Sequence, residues 1–104
     1  MSKSYAEIEG KVYQWGCERG IVQNGKPMSQ AIKCSEEVNE LLSAINRCSE
    51  SEVVDALGDV WVCLLMTASI MNLNLVDCMY AAYDDIKDRK GFLRQDGTFI
   101  KSTT

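Results

Sequence analysis

The chain has 104 residues, 46% of them hydrophobic and 25% charged, the proportions of one globular domain rather than of a mainly disordered, collagenous or disulfide-scaffold protein. Eleven Lys and Arg stand against 15 Asp and Glu, a net charge of −4, which argues against general affinity for nucleic-acid backbones or anionic membranes. There is no His, so Ser-His-Asp triads, Cys-His pairs and histidine-ligated zinc are excluded, and catalysis must run on carboxylates, Lys, Tyr, Cys or a metal held by oxygen.

Residues Ser4 to Arg19 predict a first helix, with Ile8, Val12, Trp15 and Tyr5 recurring at helical spacing. Asn24-Gly25 and the single proline, Pro27, break the pattern over residues 20–28. A second helix from Met28 to Asn46 carries Ile32, Val38, Leu41, Leu42 and Ile45 on one face. Ser49, with Glu52 three residues on, is a capping-box pattern that opens a third helix to Met71. Asn74 with Asp77 starts a fourth, ending near Arg89 before Gly91. In GFLRQDGTFIKS, Asp96-Gly97 separates two apolar pairs, a small hairpin signal. The expected architecture is a single all-α domain over residues 1–104, a four-helix bundle-like fold with a short C-terminal hairpin tail.

The five cysteines, Cys17, Cys34, Cys48, Cys63 and Cys78, are an odd set without a CxxC pair, which reads as reduced thiols in a cytoplasmic protein. The opening MSKSYAEIEG has no signal-peptide pattern. The apolar run from Val60 to Met71 falls short of the roughly 20 residues a bilayer crossing needs and predicts a buried bundle helix.

Charge is distributed unevenly. Between Glu36 and Asp59 seven acids face one base, Arg47, a local net of −6, whereas residues 87–101 carry a net of +3. At 100° per residue, Lys33, Glu37, Glu40 and Ala44 form one stripe along the second helix, with Glu36 just outside it. On the third helix Glu52, Asp55 and Asp59 form another, continued by Cys63, Met66 and Ile70. A stripe that begins acidic and turns apolar places Asp55 and Asp59 pointing into the bundle near its end. Carboxylates there repel one another unless a cation neutralises them, and an all-oxygen set suits Mg²⁺ or Mn²⁺. Other readings stand beside this one: acids on helices are usually solvated, Glu52 serves equally as a cap, and Trp15 suits either the core or a stacking platform.

The EExxE of Glu36, Glu37 and Glu40, the DALGDVWVCLL segment with Asp59, and the ending AYDDIKDRKGFLRQDGTFIK together resemble the MazG-like all-α nucleoside triphosphate pyrophosphohydrolases, especially the small single-domain versions of bacteriophages. The resemblance runs from Gln14-Trp15 to the tail. It implies Mg²⁺-dependent, or Mn²⁺-dependent, hydrolysis of a (deoxy)nucleoside triphosphate to the monophosphate and pyrophosphate, in a homodimer or dimer of dimers in the host cytoplasm.

By the same resemblance Glu37, Glu40 and Asp59 match metal-binding acids, and Glu36 matches a residue that orients or deprotonates the attacking water. Lys33, Lys87 and Arg89 match basic residues that contact the phosphates. Ala56 departs from the pattern: most of the family has a glutamate there, and Asp55, with Glu52 behind it, is the available substitute. Trp15, with Gln14 or Gln30, is the candidate base pocket. The rival reading is a helical binding or assembly module whose acidic cluster has lost turnover.

Overall fold

The computed structural model describes residues 3–102. In chain order it has α1 (Tyr5–Glu18), α2 (Ile21–Asn24), α3 (Pro27–Asn46), α4 (Glu50–Ile70), α5 (Leu75–Ile86), β1 (Gly91–Leu93) and β2 (Phe99–Lys101). The long helices lie where apolar spacing put them, their ends within three residues of expectation. The break over 20–28 is more ordered than expected. Gly20, at φ 74°, leads into the one-turn α2, which packs on both α1 and α4.

Helix starts follow local chemistry. Ser4 Oγ accepts from the Glu7 N–H at 3.1 Å and Asn74 Oδ1 from the Asp77 N–H at 3.1 Å, each satisfying an orphan donor of the first turn. Ser49 is the N-cap of α4 as expected, but its side chain makes no capping bond. The capping box is not formed because the Ser49 N–H, which Glu52 would need, already donates to the Ala44 carbonyl at 3.0 Å. That bond belongs to a Schellman turn in which Cys48 takes φ 56° and its N–H donates to Ile45. Glu52 turns to Arg47 instead.

α4 is the central helix and touches all four others, while α3 packs on α4 alone. By length and mean hydropathy, 1.7 over its most apolar window, α4 matches a membrane span, yet its place among the other helices is that of a bundle core. Ala44, Ala56, Cys63, Leu65, Met66 and Ala68 are buried, joined by Gly16 of α1.

The predicted α3 face stays largely open: Ile32, Leu42 and Ile45 are all more than half exposed, because a helix with one partner can cover only one stripe. Trp61 is half-buried. No residue of α5 is buried, and among the described residues the antiparallel β1–β2 hairpin packs on no helix. The radius of gyration is accordingly 16.3 Å, against about 13 Å for a compact chain of this length.

Candidate active site

α3 and α4 form an αα-hairpin about Cys48. Glu37 and Glu40 lie as far before Cys48 as Asp59 and Ala56 lie after it, so the antiparallel pair brings the two acidic stripes face to face. Between them is a cleft of about 360 Å³ lined by Glu37, Glu40, Arg47, Glu52, Asp55, Ala56 and Asp59. Every acid proposed as a metal ligand from the sequence therefore lines one space.

Burial along the α4 stripe rises as its composition predicts. Glu52 and Asp55 are exposed, Asp59 is half-buried and Cys63 is only 2% exposed. The expectation that Asp55 points into the bundle is corrected: it is exposed and lines the cleft from its rim, one turn nearer the helix start than Asp59. Glu37 is the most covered acid of α3, its side chain 20% exposed and 3.8 Å from Lys33 Nζ. Beneath the acids, burial pushes the Cys63 thiol up from its usual range, with Cys34, Glu37 and Asp59 adding to the effect and Lys33 opposing it.

The lone base of the cleft is held at two points. Arg47, at the C-terminal end of α3, donates to Ser43 Oγ and to Glu52 Oε2. Glu52 raises the Arg47 guanidinium above its ordinary range, and Arg47 in turn holds the Glu52 carboxyl below the usual glutamate range. Sequence reasoning recorded Arg47 only as the single base in an acidic run, and that isolation was the signal.

As a metal centre the donor set is all carboxylate, which fits a hard divalent cation. Among the described residues no three Asp, Glu or Cys side chains are gathered tightly enough to hold an ion as they stand; Glu52 is engaged by Arg47 and Glu37 by Lys33.

Asp59 also lines a second opening of about 390 Å³ with Lys11, Val12, Trp15 and Val62. Trp15 is 39% exposed, and the Arg19 guanidinium lies 5.0 Å from its ring centre, so it is not a core residue. Val62 escaped the sequence reading because only tertiary packing sets α4 beside Trp15, whereas Lys11 and Val12 lie one turn before it on α1.

Other candidates are not brought to the cleft. Glu36 is exposed and, like Lys33, does not line it; Gln30 is half-buried and lines neither opening. Lys87 lies 3.4 Å from Asp84, and Arg89 2.8 Å from Asp85, at the far end of a helix that does not touch α3.

No family model matches the sequence. An uncharacterised 18.2 kDa protein from the rep-hol intergenic region of Haemophilus phage HP1 is 29% identical over 65 residues. That match takes in 62% of this chain and 40% of the phage protein's length. Among solved structures, the cyanophage S-2L MazG-like pyrophosphohydrolase, bound to dGDP and three catalytic Mn²⁺ ions per active site, superposes with a TM-score of 0.68 at 16% identity, covering 97% of this chain and 99% of that one. Over nearly its whole length the chain has the all-α fold of a MazG-like pyrophosphohydrolase.

Proposed function

We propose that the protein hydrolyses (deoxy)nucleoside triphosphates between the α and β phosphates, releasing the monophosphate and pyrophosphate, with Mg²⁺ or Mn²⁺ as cofactor. The observation that carries this reading is the meeting of carboxylates from α3 and α4 across one cleft, in a fold shared with an enzyme that binds a nucleotide and divalent metal. Glu37, Glu40, Asp55 and Asp59 are the residues to hold the cation. Bound there, the metal would screen the triphosphate and lower the pKa of a water. Glu36, exposed beside Glu37, would orient the attacking water and accept its proton. Lys33, 3.8 Å from Glu37, would stabilise the charge that develops on the phosphates. Trp15, at an opening that shares Asp59 with the acidic cleft, would stack on the base, leaving the phosphates over the carboxylates.

Lys87 and Arg89 line neither opening and follow a helix that does not touch α3, and the open faces of α3, α5 and the hairpin leave a single copy with a small core. We therefore place them in a homodimer or dimer of dimers, with the basic segment of one copy serving the triphosphate of another. Because the compared proteins come from phages, the reaction is assigned to the host cytoplasm.

A second reading, a binding or assembly module without turnover, is favoured by Ala56, which brings no ligand to the wall of the cleft. Incubation with each common dNTP and NTP, in Mg²⁺, Mn²⁺ or EDTA, followed by ion-exchange separation, decides between them. Monophosphate and pyrophosphate are expected, abolished by EDTA and lowered on the order of 100-fold or more by Glu40→Gln, since even outer-shell changes at metal sites cost 10–100-fold. Survival of every triphosphate would leave the binding module standing.

A further inference from the structure

The cleft contains one group that the proposed hydrolysis does not use. Arg47 lines it together with five carboxylates. Its guanidinium donates to Ser43 on its own helix and to Glu52 across the turn, and it lies within the field of Glu40. A guanidinium keeps its charge throughout the working pH range and has no acceptor. It is therefore a permanent positive charge fixed at the Glu52 end of an otherwise acidic space.

Resting on the reading of this cleft as a metal site, we propose that Arg47 is its resident cation. It neutralises Glu52, offsets Glu40, and confines divalent ions to the end formed by Glu37, Glu40, Asp55 and Asp59. A divalent ion at the Glu52 end would have to displace a charge-assisted hydrogen bond and sit beside a like charge. The same contact also staples the α3–α4 turn, with a cation at one helix C-terminus and an anion near the next N-terminus. A staple alone would alter thermal stability and leave metal binding unchanged, which separates the two roles.

The test is a Mn²⁺ titration of the full, nucleotide-free chain, with free Mn²⁺ counted by electron paramagnetic resonance. Arg47→Gln is expected to take up one more Mn²⁺ per chain than the parent protein, and Arg47→Lys, which keeps the charge, to match the parent. Glu52→Gln, an exposed change that cannot disturb the core, is expected to leave the parent's count and affinity unchanged, because Glu52 is already committed to Arg47. Loss of an ion in Glu52→Gln overturns the proposal, and does so even if Arg47→Gln fails to fold. An unchanged count in folded Arg47→Gln, or a gain in Arg47→Lys, overturns it as well. If the parent binds Mn²⁺ and Arg47→Gln gains none, only the role of Arg47 falls; if no form binds Mn²⁺, the metal-site reading falls with it.

Discussion

Trp61 Nε1 donates a hydrogen bond of 3.2 Å to the Tyr5 hydroxyl, and the two rings meet edge to face, with centres 5.8 Å apart and planes at 81°. The contact joins the first turn of α1 to the middle of α4. Tyr5→Phe keeps the ring pair and removes the acceptor, and because the bond is partly exposed the expected loss is about 0.5 kcal/mol, the low end for a hydrogen bond. Tyr5→Ala also removes the ring contact and should cost about 1 kcal/mol more. Urea unfolding of the two variants measures both steps.

A second contact explains why α1 approaches α4 so closely. A Cβ on Gly16 would stand 2.5 Å from the sulfur of Met66 and 2.8 Å from its terminal methyl, and Met66 is only 1% exposed. Gly16→Ala should therefore destabilise by about 1–3 kcal/mol, the range for overpacking, despite alanine's better helix propensity. The cause is checked in the Met66→Ala background. If the clash is responsible, adding Gly16→Ala there costs much less, a coupling that a double-mutant cycle reads directly.

These contacts show what the sequence could and could not specify. Helix spans followed from the spacing of Val38, Leu41 and Val60 and from Ser4 and Asn74, because periodicity and capping are local. The gradient from Glu52 to Cys63 was also legible, since one stripe on one helix needs no knowledge of the partner. The choice between exposure and burial for Ile32, Leu42 and Ile45 was not legible, because it depends on how many helices pack against α3. The same limit hid Val62 beside Trp15, and it hid the pairing of Glu52 with Arg47, which is decided by where the Ser49 N–H donates.

Burial of Cys63 makes a pH prediction. Its thiol pKa is raised in the folded protein, chiefly by desolvation, so the folded state favours the protonated form. Stability is then fully retained below the unfolded thiol pKa of about 8.5 and is lost as pH rises through the higher folded value. Thermal unfolding should show this decline at alkaline pH, and Cys63→Ala should flatten part of it. Alkylation near pH 8 should modify exposed Cys48 and Cys78 first and Cys63 last, a difference that urea removes.

The assignment of Lys87 and Arg89 to a neighbouring chain has its own test, because two inactive proteins can complement each other. Glu40→Gln damages the cleft and leaves the basic segment intact; Lys87→Gln with Arg89→Gln does the reverse. In dimers assorted at random from equal amounts of each, half are mixed, and each mixed dimer contains one intact cleft facing one intact basic segment. Activity should return to about a quarter of the parent level if the segment acts across the two-fold interface. If Lys87 and Arg89 serve their own chain, the mixture stays as inactive as its components, because no chain then carries both halves of the site. Ion-exchange chromatography of the same mixture, in which the mixed dimer elutes between the two parents by its intermediate net charge, confirms that subunits have exchanged, so a silent result counts against the crossed arrangement.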